Sequence, residues 1–135
     1  MDMLVNIDVD DLPKGIAFYQ QAVGLRPGRR FGSLGVEMLG ASSAIYLLMK
    51  PEGTRPSSST GETRRYRRHW TPVHLDFVVT ELDAAVSRAI DAGAKLEGEI
   101  QTHKWGRIAH MADPFGHGIC FIQFLGDGYD EIAEK

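Results

Sequence analysis

Two short stretches of the chain carry polar side chains at alternate positions. His74 and Asp76 stand two apart in His74-Leu75-Asp76-Phe77-Val78-Val79, and Asn6 and Asp8 stand two apart in Leu4-Val5-Asn6-Ile7-Asp8-Val9. In an extended chain, residues i and i+2 share a face. If Val5, Ile7 and Val9 pack on a helix, Leu4, Asn6 and Asp8 look the other way, and His74, Asp76 and Val78 do the same in the second stretch. An imidazole titrates near ~6.5 in water, so His74 is a candidate general base. Neither Asp8 nor Asp76 has a cation close by in the sequence. They suit a cationic guest, or else hydrogen-bond within the framework. His69, His103 and His117 fall in predicted turns or a linker and are expected to face solvent.

The elements that position these residues repeat. Val5, Ile7 and Val9 alternate as a half-buried strand does. A helix is expected next, with Asp11 as N-cap, Pro13 in the first turn, a stripe of Leu12, Ile16, Tyr19 and Val23, and Gly24 as the stop. About seventy residues later the pattern recurs, with Leu75, Phe77 and Val79 as the strand. Thr80 and Asp83 are a candidate capping box, Leu82, Val86 and Ala89 or Ile90 the stripe, and Gly93 the stop. Three extended runs follow each helix: Arg29 to Phe31, Gly35 to Leu39 and Ala44 to Met49, then Leu96 to Gln101, Arg107 to Ala112 and Gly118 to Phe124. The expectation is one α+β domain over 1–135, made of module one at 3–51, a polar linker at 52–71, module two at 72–125 and an acidic tail at 126–135.

Composition excludes several classes. The 135 residues suffice for one core without disulfide or metal staples. A net charge of -3 offers no field for a nucleic acid, and nothing approaches the ~20 apolar residues of a membrane span. The lone Cys120 rules out an internal disulfide, and an N-terminus without a basic start or long apolar stretch leads us to expect a cytoplasmic protein. The linker is locally basic. Arg64, Arg65, Arg67 and Arg68 could grip an anion, dock on a second subunit or simply be solvated.

Trp105-Gly106-Arg107 followed by Asp113-Pro114-Phe115-Gly116-His117 resembles the W-G-R…D-P-x-G-N signature of glyoxalase, bleomycin-resistance and extradiol dioxygenase modules. Val9-Asp10-Asp11-Leu12…Ala17-Phe18-Tyr19…Val23-Gly24-Leu25 resembles that superfamily's opening V-x-D-L…A-x-F-Y…L-G-L. The resemblance, to the vicinal oxygen chelate superfamily, runs from Met3 to Leu125. It implies two βαβββ modules forming a curved mixed sheet around a central cavity. In metal-dependent members the ligands are a His or Gln opening each module's first strand and a Glu on each last strand. The matching positions here are Leu4, His74, Tyr46 and Cys120.

Only His74 is of the usual ligand type, and one His with one Cys falls short of the three protein ligands of a catalytic zinc. The resemblance therefore implies no metal and no cofactor. By the same resemblance Trp105 and His110 join Asn6, Asp8, Tyr46, His74, Asp76 and Cys120 around the cavity. Such a wall suits an aromatic, amphipathic or cationic small molecule. The expected function is metal-free small-molecule binding, in a homodimer by analogy with bleomycin-resistance proteins. The alternative is an enzyme, either a lyase, isomerase or dioxygenase holding one divalent metal ion on displaced ligands such as His74 with His110 or Asp76, or a metal-free one with His74 as base and Tyr46 as its partner.

Overall fold

A computed structural model describes residues 1–134. The chain divides into two compact units, Met1–Arg67 and Arg68 onward, with the division inside the predicted linker. Each unit has its own open, mixed sheet and one long helix, an α+β arrangement.

In the first unit β1 (Val5–Val9) leads to α1 (Leu12–Val23), and then come β2 (Arg26–Arg30), β3 (Gly35–Leu39) and β4 (Ile45–Met49). The strand order is β1-β4-β3-β2, with β1 parallel to β4 and the rest antiparallel. α1 begins where Asp11 accepts a hydrogen bond from the Lys14 amide and ends at Gly24 with φ 83°. Only a residue without a Cβ adopts that angle at little cost. Leu12, Ile16, Phe18 and Tyr19 are buried on the sheet with Val9, Val36, Met38 and Leu47. Each such side chain contributes about 1.5–3 kcal/mol by leaving water. The second strand starts three residues earlier than expected, at Arg26. It includes Pro27 because it is an edge, where a missing N–H does no harm.

In the second unit β5 (Leu75–Val78) precedes α2 (Leu82–Asp91), followed by β6 (Lys95–Leu96), β7 (Gln101–His103), β8 (Gly106–Ala112) and β9 (Gly118–Phe124). The order is β5-β9-β8-β6, with β7 also on β8. The single strand expected from Leu96 to Gln101 is thus two. Gly98 adopts φ 75°, and the intervening residues leave the ladder. The Thr80–Asp83 capping box does not form either. Glu81 occupies the N-cap without a side-chain bond, and the Leu82 amide donates to Gln123 Oε1 at 2.8 Å. Asp83 instead pairs with Arg107, whose hydrogen bond holds that carboxyl below its ordinary range. Leu82, Val86 and Ala89 are buried as expected, while Ile90 is exposed. The Asp113–His117 segment is a closed turn: Asp113 Oδ1 accepts from the amides of Phe115 at 2.8 Å and His117 at 2.9 Å.

Candidate functional site

The eight residues expected at one cavity fall in both units, and each unit makes its own constellation. In the first, β1 and β4 set Asn6 opposite Tyr46 and Asp8 opposite Leu48. Asn6 is exposed. Asp8 is not without a cation, because Arg64 Nε donates to its Oδ2 at 2.7 Å. The same guanidinium also donates to Thr54 Oγ1 and the Arg55 carbonyl. Two residues on, the Tyr66 hydroxyl donates to the Lys50 carbonyl at 2.5 Å. Burial, and then the charge of Asp8, push that phenol up to about 12.

Tyr46 is engaged as well. Its hydroxyl donates to Glu37 Oε2 at 3.3 Å and accepts from Arg29 Nη2 at 3.2 Å. Glu37 is 8% exposed in the middle of β3, and Arg29 meets both its carboxylate oxygens, at 2.8 Å for Nη2 to Oε2. Side-chain and then backbone hydrogen bonds from Arg29 hold Glu37 below its ordinary range. Sequence reasoning passed over this pair, although a glutamate inside the apolar run Gly35–Leu39 is the kind of buried charge that needs a partner.

In the second unit, β9 lies between β5 and β8, so Cys120 has Asp76 on one side and His110 on the other. His74 Nδ1 is 2.9 Å from Asp76 Oδ1. Cys120 is buried, and burial followed by the charge of Asp76 pushes its thiol up to about 12. At neutral pH Sγ therefore carries its proton. The donor atoms of His74, Asp76 and Cys120 all lie within 4.8 Å of one another.

A cavity of about 240 Å³ opens beside them, its lining including His74, His110, Met111, Ile119, Cys120, Trp70, Arg68 and Glu97. Arg68 and Glu97 form a two-point pair at 2.8 and 2.9 Å, and this bond holds the Glu97 carboxyl below its ordinary range. Arg68 Nη1 donates further to the carbonyls of His69 and Gly116. Its Cζ lies 3.7 Å from the centre of the exposed Trp70 ring, a cation–π stack. Of the arginine run, then, Arg64 and Arg68 are anchors on carboxylates of the fold. Of the three roles left open for the run, an anion grip, a dock on a second subunit or plain solvation, these two side chains are therefore not simply solvated.

Other placements differ from expectation. Trp105 does not line this cavity. It stacks on His103, with rings 5.3 Å apart and 6° from parallel, and packs against Phe124 and Tyr129. Neither His69 nor His117 simply faces solvent, since His117 Nδ1 and His69 Nε2 are 2.9 Å apart and both rings are half-buried. Trp70, read as part of a featureless linker, is the aromatic at the cavity.

A family model for the glyoxalase-like domain matches residues 4–122. The chain belongs to the glyoxalase-like family. This family lies within the vicinal oxygen chelate superfamily. Among curated relatives, the anthracycline biosynthesis protein DauV of Streptomyces sp. (strain C5) is 29% identical over 96% of this chain, and DnrV of Streptomyces peucetius, also an anthracycline biosynthesis protein, 28% over 96%. This glyoxalase-like chain spans only 43% of the length of each. A glyoxalase/bleomycin resistance protein/dioxygenase family enzyme from Burkholderia phytofirmans PsJN has the same fold, with a TM-score of 0.72 at 22% identity over 93% of this chain and 100% of its own. So does the fosfomycin resistance protein FosX from Listeria monocytogenes, with a TM-score of 0.71 at 16% identity over 97% and 96%. Among the described residues no helix is long and apolar enough to cross a membrane.

The superfamily's metal-ligand positions can be tested against these side chains. Leu4 has no donor atom. Tyr46 is committed to Arg29 and Glu37, and Cys120 is protonated. The four positions therefore do not make the family's donor set.

Proposed function

We propose that this chain binds a planar aromatic small molecule in the cavity of its second unit, without the superfamily's four-residue metal centre. The observation that carries this reading is the composition of that cavity's wall: the buried Met111, Ile119 and a protonated Cys120, imidazoles of His74 and His110, and the exposed Trp70. Arg68 and Glu97 neutralise each other there, so the lining favours a neutral guest over an ion. A dry cavity of about 150 Å³ takes a benzene ring. By that scale about 240 Å³ accepts two fused rings, with the rest of a larger planar molecule projecting past Trp70. The relatives named for anthracycline biosynthesis support a small-molecule ligand.

Those relatives are more than twice as long as the stretch they share with this chain. A second copy of the chain would supply a comparable length, and this supports our proposal of a homodimer, to be checked by sedimentation. The ligand test is calorimetric titration with 1-naphthol and with alizarin, in chelator-treated buffer. Saturable binding that weakens at least tenfold in Trp70→Leu and in His110→Ala is expected. Absence of saturation with both probes, or unchanged affinity in both variants, overturns the reading.

One observation favours a catalytic variant of this function: the His74–Asp76 pair has the geometry of an oriented base. Base-catalysed deuterium exchange into bound naphthol that stops in His74→Gln would establish it, and exchange at the solvent rate would exclude it.

A further inference from the structure

We propose that the chain reversal after β9 is a binding site for a methylated ammonium group of the kind choline carries. The site lies in the second unit and shares no lining residue with the cavity beside Cys120. It uses none of the superfamily's four metal-ligand positions.

The backbone builds a corner there. β9 ends at Phe124, the Leu125 amide donates to the Trp105 carbonyl at 3.0 Å, and the Gly128 amide donates to the Leu125 carbonyl at 2.9 Å. Gly126 and Gly128 allow the reversal with φ of 55° and 64°, angles that a side chain resists. A turn of 3-10 helix, Gly128–Glu131, then sets Tyr129 against Phe124. The two rings are 4.9 Å apart and 78° from parallel. Trp105 braces both, at 5.2 Å from Tyr129 and 6.4 Å from Phe124. Bracing does not cover them, since Phe124 is 37% exposed and Tyr129 50%.

An open cleft of about 440 Å³ is lined by these two rings together with Asp127 and Asp130. Asp8, Glu37 and Glu97 each meet an arginine of the fold. Among the described residues neither Asp127 nor Asp130 has such a partner, and Lys104 approaches Glu131 instead, at 3.9 Å.

That combination selects the guest. Carboxylates repel an anion, and a neutral apolar guest would strip water from them without replacing it. A hard metal ion wants more oxygen donors than two, and the rings offer it none. A methylated ammonium ion is weakly hydrated and carries its charge on apolar methyl groups. It can lie on the negative faces of aromatic rings while its charge faces the two carboxylates.

The test is proton NMR of tetramethylammonium and of choline, each titrated with the full-length protein at low ionic strength. Methyl groups over an aromatic face resonate upfield, so a saturable upfield shift of the N-methyl signal is expected. Dimethylbutanol, the neutral carbon counterpart of choline, should bind at least tenfold more weakly. Tyr129→Leu, and Asp127→Asn combined with Asp130→Asn, should each weaken choline binding tenfold or more. Tyr129→Phe should preserve it, and Trp70→Leu should leave it unchanged, with circular dichroism checking the fold of every variant. Sedimentation with phosphatidylcholine vesicles separates the two sources of such a group. Pelleting that choline competes away assigns a lipid headgroup, and choline binding without pelleting assigns a free small molecule. Absence of a saturable shift in the folded wild type overturns the proposal, and so does equal binding of dimethylbutanol or an affinity indifferent to both the ring and the carboxylate substitutions. The naphthol-binding reading concerns a different cavity, so either can fail alone.

Discussion

Gly118 opens β9 beneath the guanidinium of Arg68, and adding one methyl group there isolates what the Arg68–Glu97 clasp contributes. An ideal Cβ on Gly118 would lie 2.8 Å from Arg68 Nη2 and 3.3 Å from its Cζ and Nη1. Ordinary contact requires the guanidinium to withdraw by about 0.6 Å. That stretches bonds of 2.8 and 2.9 Å to the edge of hydrogen-bonding range. Charge-assisted bonds contribute about 1.5–3 kcal/mol when shielded, and exposed ion pairs about 0–1. With 23% and 27% of these two side chains exposed, the clasp falls between, near ~1 kcal/mol.

Gly118 is not among the glycines with positive φ, so alanine also restricts the unfolded chain and returns about 0.4–1 kcal/mol. Gly118→Ala should therefore be neutral to mildly destabilising in the wild type. In an Arg68→Ala background it should stabilise, because the clash is gone and only the entropy term remains. The coupling between the two sites, read by urea unfolding at neutral pH, should be about 1 kcal/mol. Acid supplies a second arm. Glu97 is held below its ordinary 4.5, so its contribution is complete above that value and fades as pH falls through the lower folded value. The coupling should fade with it. Equal effects of Gly118→Ala in both backgrounds, or a coupling indifferent to acid, would refute the clasp.

Three further outcomes are expected. Gln123→Ala should cost about 1 kcal/mol by uncapping α2, with faster amide exchange at Leu82, whereas Thr80→Ala should change urea stability by less than about half of that. In metal-free protein at pH 8, iodoacetamide should leave Cys120 unmodified, because its thiol titrates at about 12. Urea-unfolded chain should alkylate fully, and intact mass reads both. Trp105→Ala should lose roughly 2 kcal/mol of urea stability, less than the 3–5 of a fully buried aromatic. Naphthol affinity measured calorimetrically should stay the same, since Trp105 packs on Phe124 and Tyr129 and not on the cavity.

What could be read without the fold was local. The alternation of Val5, Ile7 and Val9, the stripe Leu12–Ile16–Tyr19, the Asp11 cap, the Gly24 stop and the span of β9 all express periods or caps contained within a few residues. The repeat and the family followed from the same short motifs, and the glyoxalase-like match over 4–122 agrees with them. The α2 cap escaped notice because its acceptor, Gln123, lies 41 residues away. Trp70 at the cavity and the joining of His69 to His117 depend in the same way on how a loop folds back over its sheet.

The sequence by itself therefore determined the α+β repeat, the caps of α1 and the faces on which His74, Asp76, Asn6 and Asp8 stand. Only the tertiary structure decided which charges are already spent. Asp8 meets Arg64 across 56 residues and Glu97 meets Arg68 across 29, and Tyr46 is held by Glu37 and Arg29. A half-buried charge takes whatever counter-charge the fold brings within reach, and distance along the chain does not limit that choice.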